Sequence, residues 1–345
     1  MRVLVLGGTS FIGPPIVRRL DALGHEMAVF HRGQTEAELP PGVEHLHGDR
    51  ADLSGLAGDF ARLAPEVVVD MRPLTERDAR AVVDAFAGIA RRLVALSSGD
   101  VYRAFDVLRG VESGPPDAVP LAEDAPLRPR LYPYREQPPR APDDPQRWRD
   151  DYDKILVERV VLGNPDLPGT VLRLPMVYGP GDYQHRLFGY LKRMDDRRPA
   201  ILLGAGLARW RASRGYVDNV AAAIALAATD DRAVGRVYNV AEPDALPEAD
   251  WVRAIGDAAG WRGDVVVLPD DRLPPHLRQG LNAEQHLVMD STRIRRELGY
   301  AEPVAREEAL RQTVAWERAH PPATIPPEAF DYPAEDAALA AAGAG

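Results

Sequence analysis

The sequence contains no cysteine among its 345 residues. This absence excludes disulfide bonds, thiolate nucleophiles and zinc sites built from thiolates. The chain also lacks any apolar run near the roughly 18 residues that a membrane span needs. Its opening apolar stretch is too short for a signal peptide and leads directly into a glycine-rich loop. We therefore expect a cytoplasmic protein with no membrane partner.

Basic residues are outnumbered, since 42 Lys and Arg stand against 52 Asp and Glu, a formal net charge of −10. Nucleic-acid binding depends on basic patches that neutralise phosphates, so we expect no nucleic-acid partner. Eight histidines are scattered along the chain, and only His45 and His47 alternate on one predicted strand face. None has a spacing to carboxylates that is typical of a metal site, so no metal is expected.

Strand and helix patterns alternate through the first third of the chain. Short apolar runs are separated by segments whose apolar residues recur every three to four positions. Alternating strands and crossover helices predict an α/β fold with a doubly wound parallel sheet. Strands are predicted at residues 2–6, 27–30, 43–47, 67–70, 93–96, 170–174, 236–240 and 265–268. Helices are predicted at residues 11–23, 75–91, 152–162, 220–228, 247–259, 291–298 and 306–320.

A glycine-rich loop joins the first strand to the first helix, and reads Gly7-Gly8-Thr9-Ser10-Phe11-Ile12-Gly13. Backbone N–H groups at a helix start suit a pyrophosphate, and glycine is needed where a side chain would block it. Ser10 stands where a third glycine would complete the pattern. We predict that this loop binds the pyrophosphate of a nicotinamide dinucleotide; a plain strand-to-helix turn is the alternative.

The residues after the second strand bear on the choice of cofactor. NAD-preferring sites usually place an acid there, whereas this sequence has His31-Arg32-Gly33. An arginine favours the 2′-phosphate of NADP, so NADP is slightly preferred over NAD; a solvated arginine is the alternative. Asp49 is expected near the adenine, unless it only caps a loop. Further cofactor contacts are expected from Arg50, Met71, Ser97, Lys154 and Pro175.

Three more motifs follow this loop. They are Ser97-Ser98-Gly99-Asp100-Val101-Tyr102, Arg173-Leu174-Pro175-Met176-Val177-Tyr178-Gly179-Pro180-Gly181, and Tyr216-Val217-Asp218-Asn219-Val220-Ala221 with Tyr238-Asn239-Val240 after it. With them, residues 1 to about 320 resemble the extended short-chain dehydrogenase/reductases, and within these the atypical NAD-dependent epimerase/dehydratase group. The resemblance implies a Rossmann domain at residues 1–175 and 215–242, with a proline-rich insertion at 103–147, and a smaller substrate lobe at 176–214 and 243–330. Residues 331–345 are expected to form a loose tail.

Ten prolines fall between residues 115 and 145. Apolar periodic segments flank this stretch, so we predict a long ordered insertion that serves as a lid or substrate loop.

The resemblance also implies a catalytic serine, tyrosine and lysine. Ser98 matches the serine that hydrogen-bonds the substrate oxygen, and Lys154 matches the lysine because an apolar helix follows it. The tyrosine belongs four residues before this lysine, but Asp150 stands there. Tyr152 is the nearest substitute.

Residues two apart on a regular helix point about 200° apart. Tyr152 therefore reaches the face of Lys154 only if the helix begins near residue 153, and the aspartates clustered there are typical of a helix start. Tyr152 is then either the catalytic tyrosine or a residue that only packs against its neighbours. Asp150 as proton carrier would need a raised pKa beside a lysine that lowers it. Tyr132 and Tyr134 are further donors that a folded insertion could deliver.

Arg211 and Arg214 lie just before the third motif, where many family members hold a phosphate. Arginine forks suit diphosphates, although a solvated basic turn is the alternative. Tyr178 is also expected to contact the substrate.

The leading hypothesis is an NAD(P)-dependent epimerase, dehydratase or reductase that acts on a nucleotide sugar or small carbonyl compound, as a possible homodimer. A non-catalytic dinucleotide-binding sensor is a second hypothesis, because cofactor binding does not require the missing tyrosine. RNA binding is a third, because chloroplast stem-loop-binding proteins have a similar glycine loop; the acidic charge opposes it.

Overall fold

The computed structural model describes residues 1–343 of the chain. The strands in this part are β1 (Arg2–Leu6), β2 (Glu26–His31), β3 (Glu44–His47), β4 (Val67–Asp70), β5 (Arg92–Ser98), β6 (Gly169–Leu174), β7 (Met176–Tyr178), β8 (Ala200–Gly204), β9 (Arg214–Tyr216), β10 (Val237–Asn239) and β11 (Asp264–Leu268). The α-helices are α1 (Gly13–Ala22), α2 (Ala57–Leu63), α3 (Glu76–Phe86), α4 (Arg103–Leu108), α5 (Lys154–Leu162), α6 (Phe188–Asp195), α7 (Ala205–Arg209), α8 (Val217–Thr229), α9 (Glu248–Ala259), α10 (Thr292–Leu298), α11 (Arg306–Ala319) and α12 (Tyr332–Gly343).

Within residues 1–343, seven strands form one sheet in the order β10-β6-β5-β4-β1-β2-β3. Every neighbouring pair is parallel. The strand order reverses at β1, because β2 and β3 lie on one side of it and β4 to β6 on the other. The predicted doubly wound parallel sheet is thus confirmed. In such a sheet ligands bind beyond the carboxyl ends of the strands, at the point of reversal.

Side chains that alternate along the strands supply two hydrophobic cores, one on each face of the sheet. Val3 and Val5 of β1 pack with α1 and α8 on one face. Leu4 and Leu6 pack with α3 and α5 on the other. Since both faces are covered by helices, the inner strands are nearly continuous apolar runs, which explains their clear signal in the sequence. The edge strand β3 alternates between exposed and half-buried residues.

Outside the main sheet, β8 pairs with β11 and β7 pairs with β9, both in parallel. The short strands β7, β8 and β9, and the helices α2, α4, α6 and α7, were not predicted from the sequence. Each is short enough that its periodicity does not stand out from the surrounding loops.

The proline-rich segment after α4 packs onto the main domain, and residues 109–146 contain neither helix nor strand. Arg128 within it is buried and pairs with the buried Asp153 at 3.4 Å. Leu121 exchanges backbone hydrogen bonds with the segment around residue 289, since its N–H donates to Val288 O at 2.7 Å and its carbonyl accepts from Asp290 N–H at 2.8 Å.

The prediction of a loose tail at residues 331–345 is wrong for its described part, which forms helix α12. Alanine, which dominates this segment, is the strongest helix former. Glu335 of α12 is buried, pairs with Arg193 at 2.6 Å and contacts His276 at 3.0 Å. These contacts hold the helix on the body of the protein; residues 344 and 345 lie outside the described part.

Across residues 1–343, none of the helices combines the length and the apolar character that crossing a membrane requires.

Candidate active site

The loop between β1 and α1 is shaped by its glycines. Gly7 has φ +90°, which side chains rarely tolerate. A Cβ at Gly13 would lie 2.5 Å from the carbonyl carbon of Gly8, so the loop and the first turn of α1 are in direct backbone contact. The Gly13 N–H donates to Ser10 O at 2.9 Å and closes the turn. A close backbone turn at a helix start, at the reversal point of the sheet, fits a pyrophosphate.

Ser10 does not obstruct this loop. Its side chain is exposed, and its backbone needs no positive φ. Phe11 carries the left-handed conformation instead, with φ +42°, and its ring meets Tyr183 edge-on at 6.2 Å between centroids. Thr9 is buried, Ile12 is the residue before α1, and Pro14 and Pro15 lie in the first turn of this helix.

The residues expected at the adenosine end take different roles. Arg32 is exposed directly after β2. Asp49 caps a short 3-10 helix, accepting from Ala51 N–H at 2.8 Å, which is the loop-capping alternative. Both terminal nitrogens of Arg50 donate hydrogen bonds to the Asp70 carboxylate at the end of β4, one of them at 2.9 Å. The Arg50 guanidinium therefore stabilises the end of β4.

Two further expected contacts lie beside this cleft. The Cβ of Met71 would be 3.5 Å from a Cβ on Gly7, so Met71 borders the loop. Pro175 packs against Gly215, where an added Cβ would come within 3.2 Å of its ring.

Ser97 faces a buried polar network. Its hydroxyl donates to Glu158 Oε1 at 2.5 Å. The other Glu158 oxygen pairs with Arg173 at 2.7 Å, and Arg173 also donates to the Tyr102 hydroxyl at 3.0 Å. Tyr102 in turn donates to Asn239 at 2.7 Å, so three motif segments are tied to one another and to α5 inside the protein. This network engages Ser97 internally, although the residue was expected to contact the cofactor.

Ser98, Tyr152 and Lys154 come together at the carboxyl end of β5. Helix α5 begins at Lys154, and Asp153 caps it by accepting from Ile155 N–H at 2.8 Å. Tyr152 thus lies in the extended segment before the helix, where it forms an isolated bridge with Thr75. Lys154 Nζ is 6.0 Å from the centre of the Tyr152 ring. The structure meets the geometric condition under which Tyr152 shares a face with Lys154.

Asp100 is a site residue that the sequence analysis missed. The Tyr152 hydroxyl donates to Asp100 Oδ2 at 2.7 Å, and the Tyr134 hydroxyl donates to the same oxygen at 3.1 Å. The second carboxylate oxygen is buried and has no partner among residues 1–343. The backbone N–H of Asp100 donates to Ser98 Oγ at 3.3 Å. An acid directly after the strand that ends in Ser98 was the available signal.

Burial controls the protonation of this cluster. It lowers the pKa of Lys154 to about 8, although Asp100 and Asp70 favour the ammonium form. Burial and the nearby Asp100 carboxylate hold the pKa of Tyr152 well above its ordinary value. Burial also raises the pKa of Asp100, against the hydrogen bond from Tyr152 and the charge of Arg128. Tyr152 is therefore a protonated phenol at neutral pH.

Asp150, in the position expected for tyrosine, faces the proline-rich segment. Its carboxylate accepts from Arg140 N–H at 2.8 Å and from Arg147 at 3.1 Å. Although burial alone would raise it, the pKa of Asp150 lies below its ordinary value because of backbone hydrogen bonds and the Arg140 charge. These contacts favour the ionised carboxylate, which opposes the alternative in which Asp150 carries the proton.

We expect Asp150→Ala to loosen the proline-rich segment and to leave the body of the protein folded. The Arg140 and Glu136 N–H groups lose their acceptor, and cleavage by protease between residues 134 and 150 should become about tenfold faster. Asp151→Ala is the matched control, because its 3.4 Å pair with Arg135 is exposed. Equal cleavage rates in both variants would contradict this role for Asp150.

The three predicted substrate residues separate into two groups. Tyr178 is buried and donates to Glu242 at 2.8 Å, and Arg214 is buried against Glu248 and lies over Trp251. Arg211 alone is exposed, and it lines an open cavity of about 1240 Å³. The cavity is also lined by Arg209, Pro120, His286, Met289, Arg295 and Arg306.

Met289 connects this cavity to the cluster around Ser98. A Cβ at Gly99 would lie 2.9 Å from the Met289 sulfur, so the cavity wall touches the residue that follows Ser98. The cavity therefore lies next to the segment that carries Ser98.

A doubly wound sheet with a glycine loop at its reversal point, and a serine, tyrosine and lysine beside it, defines an enzyme of the short-chain dehydrogenase/reductase class. The model of the NAD dependent epimerase/dehydratase family matches residues 3–241. The chain belongs to this family, which confirms the resemblance found in its motifs.

Named relatives include two reductases from Streptomyces. The chain is 30% identical to the 3-diazoavenalumate denitrifying reductase of a Streptomyces species, over 73% of this chain and 79% of that one. It is 28% identical to the 2'-dehydrokanamycin reductase of Streptomyces kanamyceticus, over 78% and 70%. Among solved structures, the Bordetella bronchiseptica enzyme WbmG in complex with NAD and UDP has a TM-score of 0.68 at 19% identity, covering 93% of this chain and 96% of that one.

Proposed function

We propose that this enzyme reduces a carbonyl group of a nucleotide sugar or small carbonyl compound, with NADPH or NADH as hydride donor. The observation that carries this proposal is the position of Tyr152, which precedes helix α5 and so lies beside both Ser98 and Lys154. The family membership and the two relatives named as reductases support it. A bound nicotinamide supplies the hydride.

Tyr152 supplies the proton in this proposal. The substrate oxygen accepts a hydrogen bond from Ser98, and Tyr152 donates its phenolic proton as negative charge develops on that oxygen. A phenol with a raised pKa is protonated before reaction, as net reduction requires. Rotation of its O–H bond turns the proton from Asp100 to the substrate. Carbonyl, hydride and this proton together give the alcohol.

Lys154 positions this chemistry electrostatically. Its Nζ donates to Pro73 O at 2.7 Å and to Leu96 O at 2.9 Å. An ammonium group has three donors, so one remains for a ribose hydroxyl of the cofactor. Its positive charge also favours the phenolate that Tyr152 becomes after proton transfer.

The cavity beside Gly99 is the proposed substrate site. Arg211 is an exposed arginine that forms no ion pair within residues 1–343. Arg209 forms only an exposed pair with Glu284, at 3.8 Å, whereas Arg306 is paired with Glu242 at 2.8 Å. A free guanidinium binds phosphate oxygens with two parallel hydrogen bonds, which suits a nucleotide diphosphate. The UDP in the WbmG complex belongs to that protein, and it makes UDP-linked ketosugars a reasonable first panel here.

Replacing Arg32 should reduce the preference for NADPH. The exposed guanidinium after β2 stands where a 2′-phosphate is expected, and one charge-assisted hydrogen bond contributes about 1.5–3 kcal/mol. We expect Arg32→Ala to weaken NADPH binding about tenfold or more in a fluorescence titration and to leave NADH binding unchanged. Arg262→Ala removes an exposed arginine elsewhere and serves as the control. Equal or tighter NADH binding by the unaltered protein would overturn the NADP assignment.

The function itself is tested by following the absorbance of NADPH with a panel of ketosugars, nucleotide-linked ketosugars and simple ketones. The proposal requires one substrate that consumes NADPH in a stoichiometric and saturable manner. Tight cofactor binding without turnover on any of them would favour the sensor hypothesis instead.

A further inference from the structure

Three histidines that lie apart in the sequence meet at the edge of the main sheet. His31 ends β2, and the register places His47 of β3 directly opposite it. His45 lies two residues earlier on β3 and therefore on the same face. One ring nitrogen of each histidine lies within 4.8 Å of a ring nitrogen of the other two. No spacing rule finds this group, because it depends on the register between two strands.

The contacts within this histidine cluster are close. His31 Nε2 lies 3.0 Å from His45 Nδ1, and the ring centres of His31 and His47 are 4.5 Å apart. His31 is buried, whereas His45 and His47 are exposed. The cluster is therefore anchored on one side and open to solvent on the other, so an ion can reach it.

We propose that His31, His45 and His47 form a binding site for a borderline divalent transition metal ion, of which Zn²⁺ is the best fit. Neutral imidazole is a preferred ligand of Zn²⁺, at about 2.0–2.1 Å in tetrahedral geometry. That geometry separates ligand nitrogens by roughly 3.3 Å. The nitrogens of His31 and His45 are already near this distance. A ring nitrogen of His47 lies within 4.8 Å of both, and a side-chain rotation would bring it to the ion. Water completes the fourth position.

The hydrogen bonds of His31 define what must change when the ion binds. Its Nδ1 accepts from Gly33 N–H at 3.2 Å, so the proton of the neutral ring is on Nε2 and is donated to His45. Binding through Nδ1 gives up the bond from Gly33 and keeps the one to His45. Binding through Nε2 moves the ring proton to Nδ1, where it faces the Gly33 N–H, and gives up both bonds. Three imidazole–metal bonds replace what is lost, and binding weakens at low pH because the ligands must be deprotonated.

A calorimetric titration of the full chain with Zn²⁺ tests this site, using protein without an affinity tag. We expect one ion per chain. Titration with Co²⁺ should give the intense visible absorption of a tetrahedral ion. Weak binding of several ions per chain, or a Co²⁺ spectrum that stays that of the hydrated ion, would overturn the proposal.

Two variants at exposed positions locate the ion. His45→Gln and His47→Gln should each weaken Zn²⁺ binding at least about tenfold, since even outer-shell partners of a metal site contribute that much. His320→Gln is the matched control, because His320 is an exposed histidine elsewhere, on helix α11's carboxyl end. If His320→Gln weakens binding as much as the cluster variants do, the ion is bound elsewhere and the proposal fails. Unchanged melting temperatures of the two cluster variants would show that weaker Zn²⁺ binding comes from the lost ligand and not from a damaged fold.

Discussion

Tyr152→Phe is expected to lower kcat for carbonyl reduction by about 10²- to 10⁴-fold, the range of a lost general acid. The substitution removes only the hydroxyl that contacts Asp100 at 2.7 Å, and the ring keeps its packing against Tyr134 and Trp148. NADPH affinity should therefore stay within about twofold of the unaltered enzyme. Steady-state kinetics on the substrate found by the screen, with a parallel fluorescence titration, measure both quantities.

Tyr134→Phe is the matched control for this prediction. Its hydroxyl donates to the same Asp100 oxygen, at 3.1 Å, so both variants remove one hydrogen bond from that carboxylate. If Tyr152 only packs, the two variants will behave alike. A large loss confined to Tyr152→Phe supports proton transfer by that residue, and similar kcat values for the two variants would contradict it.

Gly13→Ala should have the second large effect, on both stability and cofactor binding. The added methyl group would lie 2.5 Å from the Gly8 carbonyl carbon and 2.7 Å from its oxygen, and backbone atoms cannot rotate away. Overpacking of this kind costs about 1–3 kcal/mol or more. The loop must shift, and its N–H groups then move out of hydrogen-bonding distance of the pyrophosphate. We expect NADPH to bind at least about tenfold more weakly.

Gly189→Ala provides the control for this substitution. Gly189 lies in the first turn of α6, where nothing lies within 4 Å of an added Cβ and its φ is not positive. Alanine there should be neutral or stabilise the helix by about 0.5–1 kcal/mol. Thermal unfolding and NADPH titration of the two variants make the comparison. A Gly13→Ala protein as stable as Gly189→Ala, with unchanged NADPH affinity, would contradict the tight loop.

The sequence predicted the inner strands of the main sheet well because they are buried on both faces. Runs such as residues 67–69 of β4 are apolar throughout and have turn residues nearby, so their period is not needed to find them. The tail helix α12 was missed for the opposite reason. Half of its residues are alanine, which shows no amphipathic pattern, and the buried pair between Glu335 and Arg193 is a tertiary contact.

The sequence predicted only part of the candidate site. The glycine loop and the condition on where α5 begins followed from local spacing, and Lys154 followed from the family resemblance. The roles of Asp100, Asp150 and Arg50 did not, because each depends on which partner the fold brings close. Asp100 meets Tyr152 across 52 positions, and Arg50 meets Asp70 across 20. Rules based on short spacings in the sequence detect neither of these contacts.

Transfer of deuterium from NADPH labelled at C4 of the nicotinamide tests the central claim most directly. The product of the substrate found by the screen would be examined by mass spectrometry and NMR. Net reduction at this site predicts one deuterium on the new carbinol carbon with the unaltered enzyme and almost none with Tyr152→Phe in the same time. A product that forms without deuterium would mean that hydride returns within the substrate, and would contradict the proposed reduction.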